Sequence, residues 1–342
     1  MKLDNNKKYD LVGIGNSIVD ILAYKDKSFI EDNDMNLGTM SLVDHDQIDN
    51  LYKKLGAATE CSGGSAANTL AGFSLLGGKS SFIGKVKIDQ AGDIFHKSLT
   101  KAGVEYQVKP AIDGDPTGKC IVVVTEEKGQ FGGPVNVERT MATYLGASIT
   151  ISEDDIKESL ISDAKVIYFE GYLWDSPTGK AAIVKAIEIA KKNNVKVAFS
   201  LSDPFCVERY RDDFRKLINE DVNLLFANEA EITSLYNEPE IRKNLFRLTG
   251  KCEMSAITQG AEGSYIITED KIYTIDPIRV ENVYDVTGAG DLYAAGFLFG
   301  IVNNYSPEKC GQLGSLCAAE IIQYLGARPV TDLKELIKKL EL

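Results

Sequence analysis

The 342-residue chain is short of the residues that most metal and redox chemistry requires. It has two histidines, His45 and His96, and six cysteines at 61, 120, 206, 252, 310 and 317. No two cysteines form a CxxC pair, which argues against a structural zinc site. Serine-triad and metal-hydrolase chemistry lack the histidine clusters they need. The thiols are expected to be buried and reduced, as in a cytoplasmic protein. Positive charge is scarce as well: 38 Lys and Arg face 50 Asp and Glu, a formal net charge of -12. A sequence-independent grip on nucleic acid needs clustered basic residues and is not expected. Long apolar runs are missing; the longest, "LYAAGFLFGIV" at 292–302, falls short of the roughly 20 residues that a membrane-spanning helix takes. The N-terminus "MKLDNNKKYD" has no apolar segment behind its lysines, so no secretory signal is expected.

What the chain does have is the composition of a soluble globular protein, with 44% apolar and 26% charged residues. "YDLVGIG" (9–15) reads as a buried strand ending in glycines, and "CSGGSAANTLAGFSLLG" (61–77) as a glycine turn opening a helix of small residues. "SSFIGKV" and "GKCIVVVTEE" read as strands, with a helix over 91–103 between them. From residue 152 strands and helices alternate regularly: "AKVIYFEGY", "VKVAFSLS", "VNLLFANE" and "MSAITQG" as strands, "SPTGKAAIVKAIEIAKKNN" and "PFCVERYRDDFRKLI" as helices. A β-ribbon "GSYIITEDKIYTID" follows, then apolar helices at 289–303 and 306–325. Continuous apolar strands alternating with helices imply a mostly parallel sheet covered on both faces, an α/β/α sandwich. Ligands gather at the carboxyl ends of such strands. Two segments, about 20–60 and 107–145, break the alternation and are expected to form a small β lid. The large α/β domain then takes about 1–19, 61–106 and 146–342, the whole acting as one unit.

The stretch "DVTGAGD" (285–291) carries the clearest chemistry. A carboxylate in the first turn of an apolar helix caps free N–H groups and complements the helix dipole. The same turn offers the N–H groups of Gly288, Ala289 and Gly290 to an anion, beside a carboxylate placed to accept a hydroxyl proton. Both readings stand on the motif alone.

With "GGSAANT" (63–69), a Gly-Gly turn followed by an asparagine, "DVTGAGD" resembles the paired signatures of the ribokinase-like, or PfkB, family of carbohydrate and nucleoside kinases. The resemblance covers essentially the whole chain. "GIGNSIVD" (13–20), "ERTMATYLGA" (138–147), "FEGYLW" (169–174) and "LSDPF" (201–205) resemble its adenosine-kinase branch. The resemblance implies a ribokinase-like three-layer fold and a transfer of phosphate from ATP, with Mg2+, to a hydroxyl. Asp291 matches the catalytic base and Gly288, Ala289 and Gly290 the anion hole. Arg139 matches a lid arginine that reaches the transferring phosphate. Asn16, Asp20, Gly63, Gly64 and Asn68 match the sugar-binding residues. "NEAE", with Asn228 and Glu231, matches a motif that organises magnesium through water, and "TQGAEG", with Thr258, Gly260 and Gly263, a turn that contacts ATP phosphates. Asp285 matches a position that helps hold K+ in many members. The small residues Ala318, Ala319 and Gly326 match the surroundings of the nucleotide base. The turn at 128–136 looks longer than the branch pattern.

Adenosine phosphorylated at its 5′-hydroxyl is the reading taken forward, with a fructokinase- or ribokinase-like sugar kinase as the alternative and a non-catalytic nucleoside- or sugar-binding protein as a third. Met40 and Leu42 are apolar lid residues that suit a purine face or lid packing. The partner expected is a small molecule, with the chain a monomer or a homodimer. A dinucleotide site fails because position 18 is Ile where the third glycine of G-x-G-x-x-G belongs. "GFSLLGGKS" (72–80) fails as a P-loop by one residue and reads as a helix C-terminus.

Overall fold

The computed structural model describes residues 3–127 and 136–340. Among these, the strands are β1 (Tyr9–Ile14), β2 (Ile18–Tyr24), β3 (Met40–Leu42), β4 (Thr59–Gly63), β5 (Ser80–Ile83), β6 (Val104–Tyr106) and β7 (Thr117–Glu127). The remaining strands are β8 (Asn136–Gly146), β9 (Ala164–Glu170), β10 (Lys196–Ser200), β11 (Leu224–Asn228), β12 (Met254–Thr258), β13 (Ser264–Ile267) and β14 (Ile272–Ile275).

A nine-stranded sheet runs β14-β13-β12-β11-β10-β9-β1-β5-β6, with β13 antiparallel to both its neighbours, β12 and β14, and the other pairings parallel. Its strands are apolar throughout because helices cover both faces. β1 shows the division: Leu11 packs into one core with Leu70, Phe73, Phe82 and Leu292, whereas Val12 and Ile14 pack into the other with Ile167, Phe199 and Phe214. The chain winds outward from β1 to β5 and β6, then returns to β9 on the other side. The order therefore reverses between β1 and β9, where parallel sheets open a crevice at their carboxyl ends. The three-layer α/β/α arrangement is the one the strand–helix alternation leads one to expect.

A second sheet, β3-β8-β7-β2-β4, is built from the two excursions of the chain. Val19, Ile21, Ala23, Ile121, Val123 and Ala142 on one of its faces pack against Ile30 of the Lys27–Glu31 helix and Ile48, Leu51 and Leu55 of the His45–Leu55 helix. The other face carries Asp20, Leu22, Cys120, Val122, Met141 and Thr143, and turns toward Leu325 and Gly326.

Two local expectations are corrected. Residues 204–218 form no single helix; Pro204–Arg209 and Arg211–Glu220 are separate, because Tyr210 leaves the helical path at φ -121, ψ 25. The break lets Phe214, Leu217 and Ile218 of the second helix turn into the core. Within 20–60 the strands share the segment with the His45–Leu55 helix, which Asp44 and Gln47 start with a reciprocal capping box. The longer turn expected at 128–136 lies, Asn136 apart, outside the described residues.

Candidate active site

The Ala289–Val302 helix is apolar on all sides because it is buried on all sides, ten of its residues being out of solvent. Its N-terminus opens at the carboxyl edge of the large sheet. Gly288 precedes it in the left-handed conformation (φ 74, ψ 4), where a side chain would be strained. Among the described residues, the N–H groups of Gly288, Gly290 and Asp291 have no hydrogen-bond partner, whereas that of Ala289 reaches Val286 O at 3.2 Å. A Cβ added at Gly290 would meet nothing within 4 Å. Three free donors facing open space at a helix start fit a phosphate.

Asp291 lies in the first turn of this helix and points at the first turn of the Ser65–Leu75 helix. Its Oδ1 accepts from Ser65 Oγ at 2.7 Å and its Oδ2 from Asn68 Nδ2 at 2.9 Å. The two helices approach this closely because Gly72 lies against Leu292 and Ala295. Burial raises the Asp291 carboxyl above the usual carboxylate range, while Ser65, Asn68 and the Arg328 charge pull it back down. A carboxylate so placed can hold a proton taken from a neighbouring hydroxyl.

Across the crevice stands Asp20 on β2, 7% exposed, with its carboxylate filling the space that Gly63 leaves at the end of β4. No described residue donates a hydrogen bond to that carboxylate. Burial raises it to about 7, with Arg328 lowering it and Asp291 and Asp285 raising it further. Gly64 follows at φ 91, and a Cβ there would come within 2.2 Å of Asn16 O. That contact joins the loop after β1 to the helix that carries Asn68. Glu170, at the end of β9, ties the same two segments. Its Oε1 accepts from Asn16 N at 2.8 Å and its Oε2 from Ala66 N at 2.7 Å. Burial holds Glu170 near 7, with those two N–H bonds opposing the rise. Asn16, Asp20, Gly63, Gly64 and Asn68 are thus brought together at the reversal between β1 and β9. The Asn68 amide is already engaged, its Nδ2 by Asp291 and its Oδ1 by Arg328.

Asp285 and Arg139 meet each other. Asp285 Oδ1 accepts from Thr287 N at 2.8 Å and Thr287 Oγ1 at 2.6 Å, and pairs with Arg139 Nε at 3.1 Å. Its Oδ2 accepts from Gly326 N at 2.8 Å, and Arg139 Nη1 donates to Thr287 Oγ1. These contacts do not fit a potassium ligand at Asp285, because a guanidinium already brings positive charge to that carboxylate. Arg139 stands beside the anion turn, and its Nη2 has no partner among the described residues.

On the nucleotide side, Asn228 and Thr258 are paired neighbours at the ends of β11 and β12. Asn228 starts the Glu229–Tyr236 helix with a capping box: Glu231 N donates to Asn228 Oδ1, and Asn228 N and Nδ2 donate to the two Glu231 oxygens. Burial raises Glu231 to about 7, with the Asn228 N–H opposing the rise and Asp203 and Asp291 adding to it. Among the described residues no three His, Cys, Asp or Glu side chains converge on a metal position. A hard cation that keeps most of its waters and leans on phosphates fits this donor set, and one needing an all-protein cage does not. Gly260 (φ 56) begins the short turn after β12 and faces open space, and Gly263 (φ 93) closes it against Ile275 O of β14. Ala318 and Ala319 sit in the Pro307–Ile321 helix behind this region.

Sequence reasoning passed over Ser65, Glu170 and Arg328. A lone glutamate ending a continuous apolar strand, "VIYFE", and a lone arginine in "GARP" after a helix of small residues were the available signals.

A family model for pfkB family carbohydrate kinases matches residues 40–333. The crystal structure of adenosine kinase from Sinorhizobium meliloti is similar at 41% identity and a TM-score of 0.90, over 98% of this chain and 100% of that one. The crystal structure of a probable sugar kinase from Rhizobium etli CFN 42 is similar at 41% identity and a TM-score of 0.90, over 97% and 98% of the two chains. Adenosine kinase 2 of Arabidopsis thaliana is 27% identical over 94% of this chain and 96% of its own. The chain belongs to the pfkB family of carbohydrate kinases and is a phosphotransferase with an alcohol group as acceptor.

Proposed function

We propose that the chain transfers the γ-phosphoryl group of ATP to the 5′-hydroxyl of adenosine, giving AMP and ADP. The observation that carries the transfer is the Asp291 carboxylate, held by Ser65 and Asn68 in the same helical turn as three unpaired N–H groups. The observation that favours a nucleoside over a free sugar is the inner face of the smaller sheet. Beyond Asp20, which suits a vicinal diol, and apart from Thr143 and Arg139, that face is apolar: Leu22, Val122 and Met141, with Met40 and Leu42 still 40% and 57% exposed. Such a surface suits the flat face of a base.

Asp20 accepts the two ribose hydroxyls, and the Asn68 amide keeps one N–H for the same diol. The smaller sheet acts as a lid that excludes water and so limits ATP hydrolysis. Asp291 accepts the 5′-hydroxyl proton as the oxygen attacks phosphorus. The N–H groups of Gly288 and Gly290, with Arg139 Nη2, face the charge on the phosphoryl oxygens. Magnesium, which neutralises phosphate charge when bound, would be held through water by Asn228 and Glu231. Turnover of MgATP with adenosine, inosine, ribose and fructose, each supplied separately, tests the reading. Adenosine is expected to give the highest kcat/KM, by at least about tenfold, a difference of about 1.4 kcal/mol in transition-state binding. Turnover with fructose or ribose alone would overturn adenosine as acceptor. Potassium is expected to leave the rate unchanged.

A further inference from the structure

The family resemblance gives Arg328 no role, yet its side chain reaches the Asn68 amide that holds Asp291. It lies in the turn 325–329, after the Pro307–Ile321 helix, next to the Gly326 N–H that Asp285 holds. Its Nη1 donates to Asn68 Oδ1 at 2.5 Å, and its Nη2 donates to Ser62 O and Ser62 Oγ, both at 2.6 Å. Its Nε is buried with no partner.

A guanidinium only donates and a carboxylate only accepts. The Asn68 amide between Arg328 and Asp291 therefore has one orientation open to it, oxygen to the arginine and nitrogen to the aspartate. Two further facts separate this arrangement from a scaffold contact. Burial disfavours the Arg328 charge, with Cys61, Asp20 and Asp291 opposing that loss. A buried guanidinium with an unmet Nε is a weak choice for stability alone, since apolar residues of similar volume often serve as well. Its charge is also felt by both carboxylates that face each other across the crevice, lowering Asp20 and Asp291 alike against their burial.

We propose that Arg328 is the positioning residue of the acceptor site: through Asn68 it fixes the orientation of the reaction base Asp291, and it supplies a positive charge shared by Asp20 and Asp291. The proposal rests on the reading of Asp291 as the base. The other ionisable groups around the two carboxylates are Cys61 of β4, Cys120 of β7, Tyr168 and Glu170 of β9, Glu231 of its helix, and Asp285 of the preceding loop, which is paired with Arg139 of β8. Arg139 is the one cation among them and is paired with Asp285, whereas the cation acting on both Asp20 and Asp291 is Arg328.

The test compares kcat, acceptor KM and the pH profile of kcat/KM for wild type, Arg328→Met and Arg328→Lys, each per folded active site. Arg328→Met is expected to lower kcat about 100-fold, the scale of a base held about 1 Å out of place. Its acid limb is expected to move upward by about one pH unit or more, the scale of a close opposite charge removed. Arg328→Lys is expected to restore the acid limb but not kcat, because an ammonium supplies the charge without the fork that grips Asn68 and Ser62 together. If Arg328→Met does not fold, Arg328→Lys decides alone: a lowered kcat with an unmoved acid limb supports the proposal, and wild-type kinetics overturn it. Wild-type kcat and pH profile per folded site in both variants would reduce Arg328 to a structural contact and overturn this proposal only. A wild-type protein with no turnover would overturn the kinase reading itself, and this proposal with it.

Discussion

Asp291→Asn is expected to lower kcat about 10³-fold, within the 10²–10⁴-fold span that a positioned general base contributes. The change keeps the size of the side chain and its contact with Ser65 Oγ, but removes the group that takes the proton. The KM for ATP is expected to stay within about threefold, because the N–H groups of Gly288 and Gly290 belong to the backbone and remain. Asn68 Nδ2 only donates, so the new amide settles with its oxygen toward Asn68 and its nitrogen toward Ser65 Oγ, which then accepts. The fold tolerates this, since the site lies at the mouth of the crevice and the helix behind it is held by its buried apolar face. Steady-state kinetics and a melting curve check the prediction. A kcat within tenfold of wild type in a folded variant would remove Asp291 from the role of base.

Asp20→Ala is expected to cut acceptor kcat/KM by about 10²–10⁴-fold, the loss of two hydrogen bonds to a charged group at about 1.5–3 kcal/mol each. The ATP KM should hardly move, because Asp20 stands on the smaller sheet, across the crevice from the anion turn. The same variant is expected to melt at or above the wild-type temperature. Asp20 is a buried carboxylate to which no described residue donates, so its removal relieves desolvation that only the acceptor's hydroxyls would repay. The pH dependence follows from its direction. The folded-state value is raised to about 7, above the value of about 4 in an unfolded chain. Stability linked to Asp20 is therefore fully present below about pH 4 and is lost as pH rises through 7. Acceptor binding needs the ionised form and runs the opposite way: acceptor kcat/KM should fall as pH drops below 7. An Asp20→Ala protein with wild-type acceptor kinetics, or with a melting temperature far below wild type, would contradict the assignment.

The parts of this site that could be read from sequence are those that local geometry dictates. "DVTGAGD" fixes a glycine turn, a helix start and a first-turn carboxylate within seven residues. Asn228 and Glu231 share one helical turn, and their capping box is the ordinary physics of that spacing. The parallel sheet was legible because buried strands lose their alternation, and the capping pair Asp44 and Gln47 is the local signal of the His45–Leu55 helix. What stayed hidden depends on distance along the chain. Glu170 makes sense only once Asn16 and Ala66, 154 and 104 residues away, arrive at its two oxygens. Arg328 is 260 residues from Asn68, and nothing in "GARP" says which residues it will meet. The pairing of Arg139 with Asp285 likewise appears only when the two sheets face each other, and it changes the expectation for potassium at that aspartate.

The most direct measurement is phosphorus NMR of the purified protein mixed with MgATP and adenosine. The expected spectrum shows ADP and AMP rising in equal amounts, with the AMP phosphorus coupled to the 5′-methylene protons. ADP rising with inorganic phosphate alone, or a phosphoryl group on another oxygen, would contradict the proposal that Asp291 activates the 5′-hydroxyl of adenosine.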